Sequence, residues 1–213
     1  MVVAGVGGGL AYAGLGATHH SCEDIACLRA LPNMRVLCPG DAVEVALLLA
    51  QAVKEPGPSY LRLGKKNEPV VHQTPPNLVL GKALVLREGA DVMLLNAGNT
   101  LPEAAGAADL LAGRGISAGV ASVHTVKPLD TDLLARAFDA CRLVVTIEEH
   151  GSAGGLSGAV AEWLADHPGR KARLLRLTTG EHFVTACGNQ KNARELCGLD
   201  AAGAAAAIAK ALG

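Results

Sequence analysis

From Lys82 to Leu212 short apolar runs of strand length alternate with longer runs whose apolar residues recur at helical spacing. The pattern predicts strands over 82–86, 91–96, 117–123, 143–147 and 173–177, and helices over 100–112, 130–138, 156–164 and 201–212. Within 100–112, for example, Leu101, Ala104, Ala108 and Leu111 share one side, because residues three and four apart stack on a helix face. A helix returns the chain to begin the next strand in the same direction, so this rhythm predicts a mostly parallel sheet covered on both faces. The expected class is therefore α/β in three layers. Right-handed crossovers gather the loops after the strands along one edge, where such folds usually hold ligands.

The first 65 or so residues repeat the rhythm in shorter form. A strand over 2–6 runs into Gly7-Gly8-Gly9, and glycine lets a backbone turn and approach a ligand closely. Ser21 and Asp24 have capping-box spacing ahead of a short helix carrying Ile25, Leu28 and Ala30. A strand over 34–37 follows. Asp41 and Glu44 form a second capping-box pattern before Val45, Leu48, Leu49 and Val53. Pro56-Gly57-Pro58 stops that helix, and a strand over 59–63 closes the unit. The polar stretch 64–77 carries Pro69, Pro75 and Pro76, which block ladder bonds, and reads as an interdomain connection. The expected division is 1–66, a linker over 67–78, and 79–213. Three strands and two helices bury little surface against their ordering entropy, so the first unit reads as cut off at its start and in need of a covering domain or another chain.

Composition removes several function classes. With 19 basic and 20 acidic residues and no basic stripe, nucleic-acid binding is disfavoured. Aromatic residues supply only 2%, which leaves no platform for stacking bases. The apolar start lacks a basic leader and no uninterrupted apolar stretch reaches membrane-spanning length, so a cytoplasmic protein is expected. Cys22, Cys27, Cys38, Cys141, Cys187 and Cys197 form no CxxC pair and are expected to be reduced and mostly buried.

The densest chemical group is Gly14-Leu15-Gly16-Ala17-Thr18-His19-His20-Ser21, followed by Glu23-Asp24. Imidazoles on a loop after a strand can shuttle protons near neutral pH or bind a phosphate-bearing substrate, while loop capping is the bland alternative. Being adjacent, His19 and His20 cannot both face one way. Gly151 to Gly155 could cradle an anion with its amides, but does not read as a dinucleotide fingerprint. Glu148-Glu149-His150 is a poor metal set because neighbouring side chains diverge; a strand-end loop packed against the other domain is expected. A contact role is likewise expected for Glu181-His182-Phe183.

These residues resemble a family. Gly16-Ala17-Thr18-His19-His20, Glu23-Asp24-Ile25-Ala26, the run from Leu28 to Met34, and Pro39, Asp41 and Glu44 look like the pyrimidine-binding domain of transketolases. Tyr60-Leu61-Arg62-Leu63-Gly64-Lys65 looks like the strand closing that domain. Thr125-Val126-Lys127-Pro128-Leu129-Asp130 and the run from Val145 to Leu156 look like the C-terminal domain of the same enzymes. Separately encoded C-terminal transketolase subunits and deoxyxylulose-phosphate synthases are similar over the same runs.

The resemblance implies a function. A complete enzyme of this kind moves a two-carbon ketol unit between sugar phosphates on thiamine diphosphate held with magnesium. His19 falls at the position beside the thiazolium and substrate, with His20 its neighbour, and Arg62 at a position that grips substrate phosphate through its two-pronged fork. Leu15 and Ala17 depart from the family's Asp and Pro. The glutamate that activates the aminopyrimidine has no counterpart in this sequence, nor has the diphosphate-binding domain. The expectation is a C-terminal subunit, inactive alone, that works with an N-terminal transketolase-like subunit or another copy of the chain. A deoxyxylulose-phosphate synthase, a 2-oxoacid dehydrogenase β-like subunit and a non-catalytic assembly module are the alternatives.

Overall fold

The computed structural model describes residues 1–185 and 188–213. Cys187 lies outside these residues. Two sheets organise the chain. The first has the order β1 (Val2–Val6), β3 (Ser59–Leu63), β2 (Arg35–Leu37), β7 (Thr125–Lys127). The second has the order β4 (Leu84–Arg87), β6 (Ala118–Ser122), β5 (Val92–Ala97), β8 (Leu143–Glu148), β9 (Arg173–Leu177). Pairing is parallel except for β2 with β7 and β4 with β6. Helices α1 (Asp24–Arg29) and α2 (Ala42–Ala52) belong to the first half. Helices α3 (Leu101–Ala112), α4 (Thr131–Ala140), α5 (Leu156–Asp166), α6 (Gln190–Cys197) and α7 (Ala201–Leu212) belong to the second.

The second sheet is buried on both faces, as its uniformly apolar strands require. Along β5, Val92 and Leu94 join a core with α3 and α7, while Met93, Leu95 and Ala97 join a core with α4 and α5. The second of these cores also contains Ile25, Val36, Cys38 and Tyr60 from the first half of the chain. One apolar interior therefore runs across both halves.

Strand β7 is not anticipated from the sequence. Its residues come from the second half yet complete the first sheet, pairing Val36 with Lys127 and Leu37 with Thr125. Beside it Cys38 N donates to His124 O at 2.8 Å, and Lys127 Nζ donates to the carbonyls of Arg29 and Leu31, both at 2.7 Å. A cation on the carbonyls that end α1 completes unsatisfied acceptors there.

The proline-bearing stretch after β3 is tied to helix α2 along its length. Val71 N and His72 N both donate to Asp41 Oδ2 at 2.9 Å, and His72 Nε2 lies 2.9 Å from Glu44 Oε1. Farther on, Gln51 donates to Leu78 O and accepts from Leu80 N. Asp41 caps α2 as expected, its Oδ1 accepting from Val43 N and Glu44 N. The returning arm differs: Glu44, fully buried, accepts from Gly40 N and from Ser122 Oγ of β6.

The Ser21–Asp24 capping box does not form. Ser21 pairs with Gly9 in an isolated bridge, so α1 starts later, with Glu23 at its N-cap and no side-chain cap bond. Among the described cysteines all five are free; Cys38 and Cys141 are buried, Cys22 and Cys197 half-buried, and Cys27 is exposed, against the expectation of burial.

Candidate active site

Strands β1, β2 and β3 run parallel, so their carboxyl ends open on one edge of the first sheet. Gly7 to Gly9, Pro39 to Asp41 and Gly64 to Lys66 leave that edge together. A cavity of about 350 Å³ lies there, bordered by Val6, Pro39, Asp41, Arg62, Lys65 and Asn99, among others.

The histidine loop springs from the same edge. Gly9 N donates to Ser21 O at 2.7 Å and Ser21 N to Gly9 O at 3.0 Å, closing the loop at its neck. Gly9 has φ +67, and a Cβ there would stand 2.5 Å from Glu149 Cβ, so only glycine fits. Inside the neck two short 3-10 turns, Ala13–Leu15 and Ala17–His19, carry the motif. His19 is exposed, and its Nδ1 lies 3.0 Å from Thr18 Oγ1. His20 is half-buried and has different surroundings. Its Nε2 is buried without a hydrogen-bond partner among the described residues, and the ring borders a 60 Å³ cavity with Cys22, Thr179 and His182. Burial pushes the Cys22 thiol up to about 11, which keeps it protonated and a poor nucleophile.

Arg62 lies beneath the loop and is buried. Its Nε and Nη2 hold Asp24 at 2.8 and 3.1 Å, and Nη2 also donates to the carbonyls of Ser21 and Glu149 at 2.7 and 2.9 Å. Tyr60 Oη donates to Asp24 at 2.7 Å. Burial opposes ionisation of Asp24, but the Arg62 charge and the bonds from Arg62 and Tyr60 outweigh it and hold the carboxyl below its ordinary value. The guanidinium is thus engaged by protein groups, whereas Lys65 and Lys66 are exposed at the end of β3 on the cavity wall. Lys65 also borders Tyr12, Gly14 and Leu15 of the histidine loop. Sequence reasoning passes over it, although it closes the same Tyr60–Lys65 run that singles out Arg62.

Glu148, Glu149 and His150 are fully buried, and each holds a different segment. Glu148 accepts from Leu156 N and Ser157 N, both at 2.7 Å. The anion at the start of α5 is therefore the protein's own carboxylate, and the Gly151 to Gly155 turn serves α5 rather than an external ligand. Glu149 accepts from Leu10 N at 2.8 Å, and His150 Nε2 accepts from Ala26 N at 3.2 Å. The expected packing of this loop against the other half is what the structure contains. Glu181, His182 and Phe183 are exposed, with Glu181 Oε1 accepting from Ser152 Oγ at 2.8 Å.

The described residues contain no cluster of three or more His, Cys, Asp or Glu able to hold a metal ion, and no helix long and apolar enough to cross a membrane. The buried acids around the loop, Asp24 and Glu149, are bonded to Arg62, Tyr60, Leu10, Gln190 and Arg194. They do not fit the role of a proton relay to an aminopyrimidine.

Comparison with known proteins places this geometry. Residues 1–70 match the transketolase pyrimidine binding domain and residues 81–203 the transketolase C-terminal domain. One of the two subunits of an apulose-4-phosphate transketolase from Phocaeicola vulgatus is 39% identical over 167 residues, covering 78% of this chain and 54% of that protein. A 1-deoxy-D-xylulose-5-phosphate synthase of Thermomicrobium roseum is 41% identical over 190 residues, covering 87% of this chain and 30% of that protein. Among solved structures, a split-gene transketolase described as an inactive β4 tetramer superposes with a TM-score of 0.85 at 33% identity, covering 99% of this chain and 66% of its own. The chain thus spans roughly half to two thirds of the length of its split relatives. With both halves matched in order and the histidine loop at the sheet edge, the chain belongs to the transketolase family.

Proposed function

We propose that this chain acts as the C-terminal partner subunit of a split transketolase-type enzyme in the cytoplasm, inactive alone and competent for ketol transfer between sugar phosphates once joined to an N-terminal subunit. The observation that carries the proposal is the exposed His19 on a loop whose neck is fixed at the carboxyl edge of a matched pyrimidine-binding sheet. The likeness to a split-gene transketolase over 99% of the chain supports the subunit reading.

Thiamine diphosphate with magnesium would supply the carbanion chemistry in the full assembly, and the groups that activate and anchor it would come from outside the residues described. What this chain contributes is on the substrate side. His19, with Nδ1 facing Thr18, presents Nε2 to orient substrate or carry a proton. His20 lines the loop's inner side. Arg62 supplies positive charge under the site, and binding a phosphate directly would compete with Asp24 for its fork. Lys65 reaches the same edge from solvent without breaking a buried pair, and is the readier phosphate partner.

The test is reconstitution. The purified chain is mixed with a candidate N-terminal subunit, thiamine diphosphate and magnesium, then assayed for ketol transfer between sugar phosphates. Activity in the mixture and not in either component is expected. Stable assembly without cofactor binding or turnover would instead identify a structural module. Formation of 1-deoxy-D-xylulose 5-phosphate would move the assignment to the synthase branch.

A further inference from the structure

Ketol transfer as proposed uses His19 and His20 but not the fully buried Glu149, which sits just past β8 on the other sheet. Its carboxylate joins two segments distant in sequence. On one side Oε2 accepts from Leu10 N, the first residue inside the loop neck, at 2.8 Å. On the other, Gln190 Nε2 donates to Oε1 at 3.1 Å, and Arg194 Nε donates to the same oxygen. Its backbone carbonyl also accepts from Arg62 Nη2, which reaches Ser21 O at the other side of the neck. Both ends of the histidine loop are therefore referred to one residue.

We infer that Glu149 is the positioning residue of the histidine loop, fixing His19 and His20 relative to the substrate edge while touching neither substrate nor cofactor. The inference rests on the ketol-transfer reading for its function, but its physical content concerns the loop itself. A closed loop that carries reacting groups works only if its neck is held, since displacement of about 1 Å can cost about a hundredfold in rate. A charged acceptor is the strong choice for a single backbone amide. The neighbouring Arg194, held in turn by Glu103 and Asn99 O, keeps that carboxylate ionised and in place.

The experiment uses two variants, because Glu149→Gln leaves Arg194 as a buried cation facing an amide. The second, Glu149→Gln with Arg194→Leu, removes that cation. In the intact chain, amide exchange of residues 9–21 is expected to rise about tenfold or more in both variants, while β5 and β6 amides stay within about threefold. The side-chain nitrogen resonances of His19 and His20 should shift in both. In the reconstituted enzyme kcat should fall about tenfold, with KM for sugar phosphate changed less than about threefold. The double variant should recover thermal stability without recovering kcat or loop protection. Wild-type loop exchange and histidine resonances in the single variant would overturn the inference. So would a double variant that regains kcat along with stability, since that would make Glu149 structural only. If the wild-type chain shows no ketol transfer with its partner, the proposed function falls, and the exchange and resonance measurements still decide whether Glu149 holds the loop.

Discussion

Asp24 and Arg62 form a two-pronged ion pair, 2.8 and 3.1 Å, that ties the first turn of α1 to strand β3 inside the protein. Removing one member strands the other. Asp24→Ala should cost about 3–5 kcal/mol, because an uncompensated guanidinium remains buried. Urea unfolding should show the loss, and adding Arg62→Met in the same chain should recover part of it. A double variant no more stable than the single would mean that Arg62 finds another counter-charge.

The same pair sets an acid limb. The folded carboxyl of Asp24 titrates below its unfolded value, so its contribution is fully present above about pH 3.9 and is lost as pH falls through the folded value. Wild type should lose stability over that range more steeply than Asp24→Asn. Parallel curves for the two would exclude Asp24 as the group responsible.

His72 and Glu44 act in the opposite sense. The hydrogen bond to Glu44 raises the His72 pKa, with burial opposing and the charges of Glu44 and Asp41 reinforcing. The stabilisation is therefore complete below about pH 6.5 and is lost as pH rises through the higher folded midpoint. Glu44→Gln should return the imidazole midpoint toward its ordinary value in an NMR titration. It should also flatten the fall in melting temperature between about pH 6 and pH 9.

Lys65→Ala tests the substrate edge without touching the interior. In the reconstituted enzyme KM for the phosphorylated substrate should rise about tenfold, the scale of one charge-assisted phosphate contact, with little change in stability. An unchanged KM with Lys65→Ala and a raised KM with Arg62→Lys would return the phosphate role to Arg62.

What periodicity can reveal, it reveals. Strands β5, β6, β8 and β9 are largely apolar and lie between helices with one apolar side, so the second sheet can be traced before its pairing is known. Strand β7 cannot be found that way. It is three residues long, stops at Pro128, and exists because β2 offers an edge almost ninety residues away in sequence. Helix α6 escapes for another reason: it buries Gln190 and Arg194 along with Ala193, so its inward face is partly polar. Its Asn189–Asn192 capping box is the available signal. At the site, His19, His20 and Arg62 are visible as motif residues. The burial that commits Arg62 to Asp24 and leaves Lys65 on the cavity wall depends on contacts that spacing does not encode.

Because Thr125 to Lys127 finish a sheet begun by Val2, the prolines between the halves do not mark a seam along which the molecule can be parted. A gene divided there would give one product with a raw sheet border and another with an orphaned ribbon, and neither would keep its share of the common interior. Fission in this lineage is therefore mechanically constrained to fall elsewhere, and attempts to express either half separately should yield aggregates rather than domains.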